Sequence, residues 1–468
     1  MSSTDRRDAE RRVGAPRRRL DLTTVLAIAL PVVVALVLAV VRPDAPELVR
    51  RPPSTSALTT SSVICPSALD GKAGNRSTLR VASASGASGA LSLTSGATVS
   101  TATVAPGEVT DVAGRDAPVV VGGSGALAPG IVAGLFSSDP TTALDCAPPT
   151  ASQWFTGVGA GPTHASVLEL ANPNSGPAVA DVEVLGDEGP MDVPGLRGIA
   201  VEGRSHVRLD LGTVVPSTAD LALHVVVERG QLGVAVRDRG ERLTGSTSTE
   251  DWLPAQARPA RRALLLGVQP GSGRHTLTVA NDSDDQATAT LKVVTAGAVF
   301  APAGVEPITI PPHGVARADL DDVLAGDKAQ DAIGLQLDAD HPVTASLRSI
   351  VDGDLSILAP GPRVLTPTTV LVPDGAKTLV LGGAEAVGVA TVVARAADGR
   401  RLLSRRVPLQ PGQGAALAIP GGAAAVDVSP QRTALRGSVL VKDGGSAVVR
   451  LRELVRAGAV PAVGPGTS

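Results

Sequence analysis

Leu22–Val41, LTTVLAIALPVVVALVLAVV, is a run of twenty residues without a charge, with polar side chains only at Thr23 and Thr24. At about 1.5 Å per residue a helix of this length matches the ~30 Å hydrocarbon core of a bilayer. Pro31 interrupts the run, and lipid tolerates such a proline more readily than a soluble helix interior does. The run separates a short basic head from a long, charge-mixed remainder. It therefore decides on which side of a membrane most of the chain lies.

The flanks set the orientation. Within residues 1–20, Arg6, Arg7, Arg11, Arg12, Arg17, Arg18 and Arg19 stand against Asp5, Asp8 and Glu10. Beyond it, Arg42 is followed by Pro43, Asp44, Pro46 and Glu47. Cationic flanks stay cytoplasmic, which predicts a basic cytoplasmic tail at 1–21, a single-pass anchor at 22–41 and an extracytoplasmic 42–468. The alternative is a cleaved signal peptide, because Val37-Leu38-Ala39 has a small-x-small pattern. The run exceeds the usual h-region of about 7–15 residues, which favours the anchor. A twin-arginine export signal is weaker still, since no downstream cofactor motif calls for folded export.

More than 400 residues follow, enough for three or four domains. With the arginines of the head set apart from a whole-chain net charge of −3, the exported part is acidic, which argues against nucleic acid as a partner. Aromatic residues are only Phe136, Phe155, Phe300, Trp154 and Trp252. Lectin platforms and single-stranded nucleic-acid grooves rely on aromatic stacking, so both are disfavoured. Cys65 and Cys146 both fall outside the membrane, where thiols oxidise, and they bracket one candidate domain. A disulfide is expected, and without neighbouring Cys or His the pair makes a poor metal site.

Residues 42–58, rich in Pro and charge, read as a semi-rigid stalk. From Thr59 onward short β-branched, alternating runs such as Thr78–Ala84 and Gly96–Ala105 are separated every 8–12 residues by Gly, Pro, Asn and Asp. That spacing predicts an all-β ectodomain of antiparallel sandwiches. Internal repeats strengthen it. VLELANPNSGPAVADVEVLG from Val167 resembles TLTVANDSDDQATATLKVVT from Thr276, Arg208–Leu211 matches Arg317–Leu320, and GVAVRD from Gly233 matches TASLRS from Thr344. Weaker echoes start at Thr103, Pro408 and Thr433, and the phrases ending at Trp154 and Trp252 look like the entry of a unit. Four Ig-like sandwiches are expected at 59–149, 150–247, 248–362 and 363–457, followed by a flexible tail at 458–468. Within a unit, Val167–Leu170 is expected to form a hairpin with Ala178–Leu185 across the Asn-Pro-Asn-Ser-Gly turn. Leu221–Val227 is the expected central strand.

Candidate chemistry is sparse. His164, His206, His224, His275, His313 and His341 show no zinc-motif spacing, and His164 and His275 fall near equivalent repeat positions, as scaffold residues would. The serine-rich stretches Ser83–Ser88 and Gly122–Gly125 contain no G-x-S-x-G elbow. Asp282, Asp284 and Asp285 cluster in one turn and Asp319, Asp321, Asp322 and Asp327 in another. They read as solvated turn carboxylates, with calcium binding the lesser alternative. Arg237, Arg348 and Arg436 recur in repeated strands, as an inter-sheet ion pair would. No glycine-rich phrase opens a helix after a parallel strand, so no phosphate-cradling loop is expected.

The basic head, the single anchor and tandem sandwiches carrying L-x-[LV]-A-N-[PD] together resemble an actinobacterial family of envelope proteins of unknown function. The resemblance implies an extracytoplasmic location and brings no site residues. The resulting expectation is a non-enzymatic, membrane-anchored scaffold or protein-interaction module of the cell envelope. No cofactor, metal or nucleic-acid partner is expected, the sequence identifies no small-molecule ligand, and the one assigned pair is Cys65–Cys146. Two alternatives stand beside it: an accessory subunit for a membrane glycosyltransferase or envelope-polymer machinery, and a cryptic hydrolase.

Overall fold

The computed structural model describes residues 22–40, 54–69, 74–215, 217, 219–240, 249–326 and 329–460. The basic tail at 1–21, most of the stalk, Asp327 and 461–468 lie outside the described residues. Leu22–Val40 is a helix with Pro31 inside it, and its described hydrophobic side chains, from Val25 to Val40, are all exposed. Among the described residues no helix is long and apolar enough to cross a membrane.

Residues Ser56–Gly458 form a compact unit separate from the helix. It is all-β, and its strands pair antiparallel in one scheme that recurs four times. Counting strands one to eight within each copy, and setting aside short extra strands, one sheet runs 1-6-3-4 and the other 5-2-7-8. The copies span Thr60–Asp145, Ser152–Leu253, Ala260–Leu358 and Thr368–Arg450. In the third, one 18-residue strand, Gly334–Val351, serves both sheets as strands six and seven. In the second the same path is cut into Leu221–Arg229 and Gly233–Gly240, with Gly230 at φ 83 between them.

Register fixes the equivalences. Leu79, Leu168, Leu277 and Leu379 occupy the same point of the second strand and are at most 1 % exposed. Opposite them on the seventh strand stand Leu135, Val236, Leu347 and Val439, and beyond these on the eighth Leu144, Leu253, Leu358 and Val449. The cores are therefore Leu, Val and Ala ladders, with alternate residues of each strand turned inward.

Several expectations need correction. His164–Ala171 pairs with His206–Asp210 and Gly233–Gly240, whereas Ala178–Gly186 belongs to the other sheet. The Asn-Pro-Asn turn thus carries the chain between sheets and closes no hairpin. Leu221–Arg229 does lie inside its sheet, flanked by strands on both sides. Thr249–Leu253 pairs with Gly233–Gly240 and so closes the second sandwich, while Trp154 sits on that sandwich's first strand. The two tryptophans are not equivalent entry points. The stalk's end and the tail's start are ordered as well, because Ser54–Ala57 and Ala457–Val460 form a two-stranded sheet.

The sandwiches follow one another round a closed circuit. Their eighth strands, Thr141–Asp145, Thr249–Leu253, Asp354–Leu358 and Ser446–Arg450, meet in sequence and the fourth returns to the first. At each junction the turn after one sandwich's second strand lies near the outer face of the preceding 1-6-3-4 sheet, leaving a cleft beside it. The fourth-to-first contact is a shared core: Ala82, Val132 and Phe136 pack with Val370, Val372 and Leu381. Cys65 and Cys146 are bonded, Cα to Cα 4.7 Å, joining the two sheets of the first sandwich at zero exposure.

Candidate functional site

The repeat asparagine has a structural task. Buried Asn172 donates to the carbonyls of Gly176 (2.8 Å) and Val201 (3.0 Å) and accepts from the Asn174 N–H (3.0 Å). Asn281 does the same with Asp285 (2.7 Å), Pro311 (3.1 Å) and Ser283 (3.0 Å). It thereby ties the crossing turn to the corner before the fifth strand. Ser83 stands at this position in the first sandwich, where its hydroxyl accepts from the Ser85 N–H, and Gly383 with φ 66 stands there in the fourth.

Two residues before each buried leucine lies a polar pair that only register reveals. Ser77 faces Ser137, Ser166 faces Asp238, and His275 faces Ser349, all buried. In the fourth sandwich Lys377 takes the place and donates to the carbonyls of Pro373, Gly375 and Gly421 at 2.6–2.9 Å. Burial lowers its pKa to about 8. His275 is thus equivalent to Ser166, and His164 lies two residues earlier than the repeat reading placed it. Similarly, Arg436 pairs with Gly382 at the start of its strand, whereas Arg348 pairs with Thr276 at the far end, so the two are not equivalent.

The most charged buried cluster joins the second and third sandwiches. His164 contacts Asp220 through Nδ1 (2.9 Å) and Asp238 through Nε2 (2.8 Å). Asp238, fully buried, also accepts from Ser166 Oγ (2.6 Å) and from Arg348 Nε (2.8 Å) of the third sandwich. Burial alone would lower the His164 pKa, but the Asp238 charge and the hydrogen bonds to both carboxylates override it and raise it to about 9. Burial would raise Asp238; His164, Arg348 and Ser166 together bring it down to about 2. The knot is a fixed imidazolium between two carboxylates, suited to holding sheets and not to exchanging protons near neutrality.

On the outer face of the same sandwich a second arrangement is accessible. His224 Nε2 lies 2.8 Å from Ser152 Oγ, and its Nδ1 lies 3.0 Å from Glu183 Oε2. The ring stacks on Trp154, centroids 4.2 Å apart and planes 5° from parallel. Strand register builds this line, since Trp154 and Glu183 both pair with His224. Asp282 and His313 of the third sandwich line the adjacent cleft of about 510 Å³. There His313 Nε2 meets Asp284 Oδ1 at 2.8 Å. Burial raises the Asp282 pKa, the Glu183 charge adds to that, and His224 opposes it. A hydroxyl, an imidazole and a carboxylate in line can pass a proton in the sense that nucleophilic hydrolysis needs. Sequence reading missed this set because its three members lie on three strands; the only signal is register.

The other expected chemistry disperses. His206 borders the narrow cleft between the first two sandwiches, and His341 contacts Asp340 at 3.3 Å. Asp321 accepts from the His275 N–H (2.5 Å), so this turn carboxylate is structural. Among the described residues no group of three or more His, Cys, Asp or Glu side chains is placed to hold a metal ion.

At the centre, where the eighth strands meet, charge is buried again. Arg452 of the fourth sandwich pairs with Asp145 of the first and donates to the Cys146 carbonyl (2.8 Å). Arg450 donates to the carbonyls of Pro360 (2.9 Å) and Ala255 (2.7 Å), in the linkers after the third and second sandwiches. Burial lowers the Arg450 pKa to about 10 and raises that of Asp145, each opposed by the other's charge. Asp251 accepts from the Trp252 and Ile357 N–H groups and is raised well above its ordinary value by burial.

A family described as being of unknown function, DUF5719, matches residues 110–420. The chain belongs to that family. The match takes in the whole second and third sandwiches, with the His164 knot and the Ser152–His224–Glu183 line, and parts of the outer two. No curated protein matches the chain.

Proposed function

We propose that this DUF5719 member is a non-enzymatic, single-pass envelope protein of the kind the actinobacterial resemblance implies, anchored by 22–41 and holding a rigid ring of sandwiches outside the cell membrane as an interaction platform. The observation that carries the reading is the use of buried charge. His164, Asp238, Arg348, Asp145, Arg450 and Arg452 are spent on joining sandwiches, which favours one fixed spatial arrangement. A buried disulfide suits an oxidising compartment. An uncharged helix whose described side chains are all exposed suits lipid. The accessory role beside a membrane glycosyltransferase is a special case of the same platform.

The test is photocrosslinking from exposed positions such as Val99 and Val387 in intact cells, combined with protease access to the ring from outside. Crosslinks to envelope proteins and external cleavage are expected. Cytosolic partners, or a ring shielded from protease until the membrane is opened, would defeat the proposal. A second reading, hydrolysis, is favoured by the Ser152–His224–Glu183 line alone. It requires that a serine-directed fluorophosphonate label the wild-type chain and not Ser152→Ala.

A further inference from the structure

The cleft between the third and fourth sandwiches is the register equivalent of the one beside His224, with its charge inverted. Where the second sandwich has Ser152, His224 and Glu183, the third has Arg262, Gln336 and Lys292 on the same outer face. Across the gap, Gly383 and Gly412 stand where Asn281 and His313 stand one junction earlier. The result is an open cleft of about 780 Å³ with an apolar floor of Leu264 and Val294.

Cations outnumber anions here. Arg262 (3.0 Å) and Lys292 (2.8 Å) share Asp338, and Arg363 holds Glu385 through two bonds of 2.5–2.6 Å. Both carboxylates are thereby satisfied. Arg261 and Arg436 also line the cleft, and among the described residues no hydrogen bond or ion pair holds either guanidinium. Arg436 is half-buried, and burial lowers its pKa; the Glu385 charge opposes that, and the Arg363 and Arg262 charges add to it. Gly383 keeps room for it, since a Cβ there would stand 3.3 Å from Arg436 Nη1 and 3.0 Å from Leu264 Cδ2. In an acidic protein, a half-buried guanidinium that no side chain hydrogen-bonds, beside further cations, suits an anion.

We propose that this cleft binds a phosphate-bearing ligand, with Arg436 at its base and Arg261 and Arg262 at its rim. Guanidinium forks match paired phosphate oxygens, and three of them suit an anion with more than two oxygens. The phosphate could belong to a soluble ester or to a lipid headgroup, and the test separates these sources. It stands independently of the platform reading.

Inorganic pyrophosphate is titrated calorimetrically into the full chain at low ionic strength. In parallel, dihexanoyl phosphatidylglycerol below its micelle concentration is titrated in the same way, since a chain with an apolar helix at 22–40 could float with any vesicle. Saturable pyrophosphate binding that Arg436→Gln weakens about tenfold and Arg261→Gln weakens less supports a soluble ester. Phosphatidylglycerol binding that is lost in the same variants, with no pyrophosphate binding, supports a headgroup. Arg405→Gln, exposed on the Arg401–Leu409 strand and away from the cleft, is the control and should change neither arm. Should Arg436→Gln not fold, Arg261→Gln decides alone, being exposed and unpaired. Binding in neither arm, equal binding by wild type and both cleft variants, or an equal loss in Arg405→Gln would overturn the proposal.

Discussion

Two residues concentrate what single positions do in this chain. Asn281 replaces three backbone interactions that would otherwise be lost where the chain crosses between sheets. Replacing it with Ala leaves buried carbonyls and an N–H unsatisfied, and should cost about 2–4 kcal/mol in denaturant unfolding; a loss below about 0.5 kcal/mol would mean water serves equally well. His164 gives a pH signature. Its folded pKa of about 9 exceeds the ordinary 6.5, so its stabilising contribution is complete below about 6.5 and is lost as pH rises through 9. Lys377 changes in the opposite sense above about 8, so wild type must be compared with His164→Gln. The wild-type advantage should be a few kcal/mol near pH 6 and vanish by about pH 10; a pH-independent difference would show that the imidazolium is not what matters. The sequence marked both residues as repeated scaffold features, but their distant partners, Pro311 at 30 positions from Asn281 and Asp238 at 74 from His164, were invisible to spacing.

Elements were more legible than their pairing. Alternating Val, Leu and Thr runs bounded by Gly and Pro are strands because only one face can enter a core, and this is written in the sequence. Which sheet a strand joins is not. Ala178–Gly186 follows its predecessor across a turn that could equally close a hairpin, and the Asn172 bonds to Gly176 and Val201 brace its crossing to the opposite sheet. The first strand of the second sandwich shows how local irregularity serves packing. Its register shifts between Thr156 and Val158, and Gly157 there adopts φ 81 against Thr278 and Ser346 of the third sandwich. Alanine at this point combines a left-handed backbone with a Cβ that overlaps Ser346 Oγ, and should destabilise by about 2–4 kcal/mol. Gly125, also at positive φ but with open space around its Cβ position, should lose only about 1 kcal/mol on the same change, and equal losses would refute the packing argument.

Closure of the ring is a property of the whole chain, and repeats alone leave it open whether four sandwiches form a string or a circle. Register makes the answer physical. At the position after the eighth-strand leucine or valine stand Asp145, Pro254, Ala359 and Arg450, so the first and last sandwiches bring opposite charges to equivalent places. Arg452 completes the contact with Asp145, whose carboxyl burial already pushes upward. Removing Arg452 leaves that carboxylate buried without its main partner, at a cost of about 3–5 kcal/mol, whereas replacing Asp145 and Arg452 together by Leu should cost far less. The sign with pH follows from linkage. Without Arg452 the folded Asp145 pKa rises further above its unfolded value, so the folded state holds a proton and loses stability as pH climbs from mildly acidic to neutral. Arg452→Ala should therefore unfold at much lower denaturant near neutrality and approach wild type near pH 4, while the double Leu variant shows little such dependence. If Arg452→Ala matched wild type at neutral pH, the first and fourth sandwiches would be held by the Phe136 and Leu381 core and by contacts such as those of Arg80 with Asp374 and Thr141 with the Asp443 carbonyl, and the Asp145–Arg452 charges would set specificity without adding stability.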